Sequence, residues 1–167
     1  YPLRRQRQMC IRDRFLRRLV ARTIAQQYAE RVLQATSPFQ YALSTRAGVD
    51  CVALMTRLLT DMDENTTVSS LDGIGAYDHV SRACFLEELR NNVALAPLLP
   101  FVRLWYSRPS TYTWRDENGT VYNIAQAEGV EQGDPLSPLL FSLAVHAALT
   151  HAQESLREGE YLSLIHI

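Results

Sequence analysis

Glu128–Phe141 reads EGVEQGDPLSPLLF, and no other stretch constrains this chain as much. A glutamine and a glycine sit in a polar turn, Pro135 and Pro138 bracket Ser137, and an apolar run follows at once. Pro138 suits the first turn of a helix, where its missing N–H costs nothing, and Ser137 is a natural N-cap. The turn would present backbone N–H groups and a side-chain amide at a helix N-terminus, a place that favours anionic ligands. An ordinary capped core helix satisfies the same pattern.

Upstream, Val68–Arg82 reads VSSLDGIGAYDHVSR. Thr67–Leu71 is β-branched enough for a short strand leading into Asp72, with Tyr77 five positions later and Asp78 after it. Gly73 and Gly75 permit close backbone approach to a ligand. An isolated Asp-Gly is more often a turn or a helix cap than a catalytic carboxylate. Two such stretches in this order, with Asp72 and Gln132 60 positions apart, carry more weight than either alone.

QGDPLSPLLF resembles the fifth-block signature of reverse transcriptases, particularly those of retrotransposons without long terminal repeats and of group II introns. VSSLDGIGAYDHVSR resembles the first carboxylate block of the same polymerase palm. The resemblance covers residues 15 to about 156. It implies an RNA-directed DNA polymerase that adds deoxynucleotides to a primer 3′-hydroxyl, with an RNA template, a DNA primer and deoxynucleoside triphosphates as partners. In-line phosphoryl transfer of this kind uses two cations about 3.5–4 Å apart, held by carboxylates, so Mg2+ (or Mn2+) is the expected cofactor.

The residue roles carry over by the same resemblance. Asp72 is expected to be the catalytic carboxylate and a metal ligand, with the carbonyl of Gly73 beside it. The backbone N–H groups of Gly75 and Ala76 would face the triphosphate. Tyr77 would lie under the incoming sugar, where an aromatic ring collides with a 2′-hydroxyl, though a buried core aromatic is compatible with the same position. Gln132 and Gly133 would line the nucleotide pocket. Arg46, in STRAG, loosely matches an arginine that contacts template or nucleotide, but Ala42–Leu43 stands where relatives carry Gly–Phe. Asp78 reads as structural, hydrogen-bonded near the strand end, and Asp134 as part of the turn. Trp105, Tyr106, Tyr112 and Trp114 could stack on bases, yet aromatics in a helix and a hairpin are more often core.

Composition agrees with one domain of real core: 167 residues, 47% apolar. No apolar run approaches the roughly 20 residues of a membrane span. Three unpaired cysteines, Cys10, Cys51 and Cys84, suggest reduced thiols, an intracellular location in cytoplasm or nucleus, and no zinc site. Nothing resembles a signal peptide. Net charge is −1, but residues 1–57 hold 11 Arg against 3 acids, and residues 58–167 hold 6 Arg against 15 acids. There is no lysine, so any basic phosphate contact must come from arginine, whose planar fork favours bidentate geometry.

The ends look foreign. Residues 1–14, YPLRRQRQMCIRDR, and 162–167, LSLIHI, resemble translated sequencing-adapter read-through, which leaves 15–161 as a partial reverse transcriptase fingers and palm domain. A genuine basic arm is the alternative for residues 1–14.

Between the motifs, three- and four-residue apolar steps at Leu16, Leu19, Val20, Ile24, Tyr28 and Val32 predict an amphipathic helix over Phe15–Gln34. Helices are further predicted over Asp50–Met62, from a Ser81 cap through Asn91, and from about Pro138 to Leu156, while Leu95–Tyr106, broken by Pro97 and Pro100, predicts a turn followed by a short helix. Thr111–Arg115 and Val121–Ile124 predict a hairpin about Asn118–Gly119. The order suggests an α+β fold, a partial palm with helices on one face of an antiparallel sheet, plus a helical part of the fingers.

The family's aromatic-x-Asp-Asp block does not occur, and one carboxylate cannot hold two cations. The expectation is therefore split: the parent protein is a polymerase, and these 167 residues alone are inactive. Two other readings compete, a domesticated non-catalytic palm that holds RNA or protein, and a helical interaction domain with a chance motif.

Overall fold

The structure is a computed structural model and describes residues 15–43 and 45–156. The readings for 1–14 and 162–167, and the last residues of the 15–161 assignment, lie outside the described residues.

Helix α1 spans Phe15–Thr36 and ends where Ser37–Pro38 follows. Its buried line runs through Ala21, Val32 and Thr36, with Ile24, Ala25 and Tyr28 half-buried beside it. Leu16, Leu19 and Val20, expected to face inward, point outward at 73%, 52% and 44% exposure. Apolar residues occur nearly all round this helix, so hydrophobicity alone marks no single face. The small side chains Ala21 and Ala25 lie on the buried side, where α1 packs against the core.

Helix α2, Gly48–Met62, leaves Leu54, Leu58 and Met62 exposed. A single turn, α3 (Ala76–His79), precedes α4 (Arg82–Asn91), whose Ser81 N-cap accepts the Cys84 N–H at 3.4 Å, as the sequence suggested. A 3-10 turn at Ala96–Leu98 leads directly into α5, Leu99–Tyr106, and each begins with a proline in its first turn. Strands β1 (Ser110–Arg115) and β2 (Val121–Gln126) pair antiparallel, Ser110 opposite Gln126 and Arg115 opposite Val121. The last helix, α6, runs Ser137–Glu154.

The core is helical. α6 packs against both α4 and α1, and α5 packs against α4. Phe85, Leu89, Leu95, Val102, Val130 and Leu140 are all within 1% of complete burial. Each such side chain contributes about 1.5–3 kcal/mol relative to exposure. The hairpin adds nothing to this cluster, and most of its residues are exposed.

Two expectations change here. Among the described residues the helices do not cover a sheet face; the sheet there has two strands, too narrow a ribbon to roof a core. Nor is Thr67–Leu71 a strand. It has no ladder partner among the described residues, and Leu71 is 94% exposed. β-branched composition supplies strand propensity, but a strand exists only when its N–H and C=O groups find a neighbour. No helix among the described residues is long and apolar enough to cross a membrane.

Candidate functional site

The two diagnostic stretches lie side by side. Val130 donates its N–H to the Tyr77 carbonyl at 2.7 Å, and Gly129 donates to the Val80 carbonyl at 2.8 Å. Gly129 holds φ +80, and a Cβ there would lie 2.7 Å from the Tyr77 carbonyl oxygen, so only glycine lets the strands of chain approach this closely. Arg82 locks the junction. It donates from Nε to the Gly129 carbonyl at 2.9 Å and from Nη1 to the Arg108 carbonyl at 3.0 Å, and its backbone N–H meets the Glu128 carboxylate at 2.9 Å. That carboxylate thereby satisfies a free donor at the start of α4.

On the motif side, Gly75 turns the chain through the left-handed region at φ 59, and its carbonyl accepts the N–H groups of Asp78 and His79. Gly75 and Ala76 thus open α3, where their amides have no preceding turn to bond. Tyr77 is half-buried with its ring edge-on to Phe141 of α6, centroids 5.5 Å apart. Burial pushes its phenol up to about 12. Asp72 and Gly73 precede this turn and are exposed in the unpaired segment. Arg46 is likewise exposed, in the turn before α2.

On the other side, the 131–137 bend is built from within. The Glu131 carbonyl accepts from the Ser137 hydroxyl at 2.7 Å, and the Asp134 carboxylate accepts the Leu136 N–H at 3.0 Å. Ser137 is therefore not the N-cap expected from sequence. It is the first residue of α6, and its hydroxyl ties the bend instead. Asp134 is buried, whereas Gln132 and Gly133 stand exposed at the apex. Gly133 holds φ +81, which an L side chain rarely adopts.

A cleft of 490 Å³ opens between the hairpin and this bend, lined by Asp78, Tyr112, Ile124, Ala125, Gln126, Val130, Glu131 and Gln132. Gln132 is on its wall; Asp72, Gly73, Gly75, Ala76, Tyr77, Gly133 and Arg46 are not. Asp78, expected to be tied down structurally, is exposed at the cleft. The four aromatics divide. Tyr106 is core, Tyr112 lines the cleft, and Trp105 and Trp114 are 38% and 49% exposed. Trp114 pairs with Tyr122 across the hairpin, centroids 5.2 Å apart.

A second arginine, Arg17 of α1, reaches the bend from behind. Its guanidinium meets Glu131 at 2.9 Å and Asp134 at 2.7 Å, donates to the Tyr106 hydroxyl at 3.1 Å, and lies 4.4 Å from the Trp105 ring centroid. Burial works against its charge, but Asp134 and Glu131 more than offset that and raise its pKa. The Tyr106 phenol is raised too, first by burial and then by Asp134. Neither Arg17 nor Arg82 stood out in the sequence. The one usable signal for Arg17 is its register, four residues before Ala21 on the buried line of α1.

The family model described as Reverse transcriptase (RNA-dependent DNA polymerase) matches residues 4–165. The chain belongs to the reverse transcriptase family. The Retrotransposable element SLACS 132 kDa protein of Trypanosoma brucei gambiense is 26% identical over 109 residues, which are 65% of this chain. This reverse transcriptase chain spans 9% of the length of that relative. No solved structure matches it. The helix-rich core with a small two-stranded antiparallel sheet is consistent with part of a reverse transcriptase domain.

The described residues do not fit a two-cation centre. No group of three or more His, Cys, Asp or Glu among them could hold a metal ion. Asp72 alone offers one carboxylate, and hard divalent cations need several oxygen ligands.

Proposed function

We propose that this chain is the nucleotide-selecting part of an RNA-directed DNA polymerase of retrotransposon type, comprising part of the palm and a helical piece of the fingers. The observation that carries the reading is the Tyr77–Val130 hydrogen bond at 2.7 Å, which joins the Asp72 block to the Gln132 bend. A chance motif in a helical interaction domain gives no reason for these two segments to touch.

In this reading Asp72, Gly73, Gly75 and Ala76 lie along the path of the triphosphate. Amides at a turn and a helix start suit phosphate oxygens. Tyr77 supports the sugar from below, and its contact with Phe141 holds the ring at one height, which excludes a 2′-hydroxyl by collision. Gln132 offers an amide to the ribose, and Gly133, with no side chain, lets the base pair approach. Template RNA, primer DNA and deoxynucleoside triphosphates are the corresponding partners, and Arg46 is a candidate template or nucleotide contact. Phosphoryl transfer needs further carboxylates to bring the divalent cations, so the 167 residues alone bind nucleotide without joining it to a primer.

The test is primer extension on an RNA template with Mg2+, using the longer polypeptide that carries this segment and its Asp72→Asn variant. The expected result is extension by the former and loss of at least about a thousandfold in the latter, the scale for removing a metal-bound carboxylate. Full extension by the Asp72→Asn variant would contradict the assignment of that residue. Extension by the 167-residue chain alone would contradict its inactivity.

A further inference from the structure

Arg17 lies 114 positions from Glu131 in sequence, yet its side chain is only 9% exposed and two carboxylates converge on it. The Tyr106 hydroxyl completes the arrangement. It accepts from Arg17 at 3.1 Å and from the Glu131 backbone N–H at 3.3 Å, and it donates to Asp134 at 3.4 Å. The guanidinium carbon also lies over two rings, 4.4 Å from the Trp105 centroid and 5.4 Å from that of Tyr106. Both ion pairs fall on the residues that flank Gln132 and Gly133, while those two stay exposed.

A buried ion pair of this kind is a poor device for stability, since desolvation consumes most of the attraction. The Arg17 Nε is moreover buried without an acceptor among the described residues, a further cost. What such a cluster does supply is a single geometry. Glu131 and Asp134 stand on either side of the apex, and a planar fork that grips both fixes their separation and so fixes the loop between them.

We propose that Arg17 is a positioning residue for nucleotide binding: from the N-terminal helix it clamps Glu131 and Asp134, and so sets the pose of Gln132 and Gly133. This rests on the reading that those two residues face the incoming nucleotide. Arg17 touches no substrate. It acts through the loop, and it couples any tilt of α1 to the shape of the nucleotide pocket.

Arg17→Lys tests this in the whole chain, because lysine keeps the charge and most of the stem but lacks the planar fork that grips two carboxylates at once. Amide hydrogen exchange and dATP titration, read at the Gln132 side-chain NH2 resonances, are the two measurements. The expected result is faster exchange confined to residues 131–134, unchanged protection at Phe85 and Leu140, and dATP binding weakened roughly tenfold, about one charge-assisted hydrogen bond. Wild-type protection and affinity in Arg17→Lys would overturn the proposal. Uniform loss of protection through α4, α5 and α6 would also overturn it, since that is the mark of a merely structural role.

If Arg17→Lys fails to fold, the neutral combination Arg17→Met with Glu131→Gln and Asp134→Asn removes the buried charges together. The proposal then requires a folded core with a loosened loop, and a loop as protected as wild type sinks it. Should the wild-type chain bind no dATP, the functional reading fails on its own, and loop exchange alone decides the role of Arg17.

Discussion

Val130 donates its backbone N–H to the Tyr77 carbonyl at 2.7 Å, so the residue after the first motif's turn and the residue before the second motif's bend are hydrogen-bonded neighbours. This contact depends on the glycine beside it. Gly129→Ala would place a methyl against the Tyr77 and Asp78 carbonyls at a φ of +80 that alanine avoids. The expected cost is about 2–4 kcal/mol, from strain plus steric displacement. Urea unfolding checks it, and an unchanged midpoint would mean that the two segments are not held as described.

Arg82→Met removes the latch while keeping most of the stem. The Gly129 and Arg108 carbonyls lose their charged donor, and each such hydrogen bond is worth about 1.5–3 kcal/mol. A loss of about 3 kcal/mol in chemical denaturation is expected, with early exchange of the amides at 128–130. A change below about 0.5 kcal/mol, the usual range for surface substitutions, would show that Arg82 is in solvent.

Phe85→Ala empties the centre of the helical core, where Phe85 is fully buried and stands edge-on to Tyr106. The expected loss is about 3–5 kcal/mol. Truncating Trp114 on the open hairpin should cost far less, and equal losses at the two positions would contradict a core that excludes the hairpin.

Alkaline pH should weaken the fold through Tyr77. Its phenol titrates at about 12 in the folded chain, against an ordinary 10.0, because burial disfavours the phenolate. A raised folded value means that the stabilisation is complete below the unfolded pKa and is lost as pH rises through the folded one. The loss therefore falls between about pH 10 and 12. Denaturation followed across that window should show a smaller decline in Tyr77→Phe. Identical alkaline profiles in the two proteins would rule out Tyr77 as the source.

How much of this was legible in the sequence varies with the physics behind each signal. Ser81, Pro97, Pro100 and Asn118–Gly119 act within a few residues, and the α4 cap, the 3-10 turn, α5 and the hairpin follow from them. Local chemistry misled at Ser137, whose hydroxyl had two acceptable partners and took the Glu131 carbonyl. The strand expected at Thr67–Leu71 needed a neighbour, and the inward face of α1 needed to know which helix it would meet. Neither is a local property. The motifs pointed to Tyr77, Gln132 and Gly133, but the arginines that contact the neighbouring residues were invisible, because Arg17 and Arg82 bond across 114 and 47 positions of chain.

One distance tests the central claim most directly, namely that the Asp72 segment and the Gln132 bend, joined through the Tyr77–Val130 hydrogen bond, lie within reach of one bound nucleotide. Nitroxide labels at positions 72 and 132, with Cys10, Cys51 and Cys84 replaced by serine, allow it to be measured by electron paramagnetic resonance. Strong dipolar broadening, from a separation no longer than a bound deoxynucleoside triphosphate, is the predicted result. A sharp, unbroadened spectrum with a long pulsed-resonance distance would place the two groups apart and contradict the account.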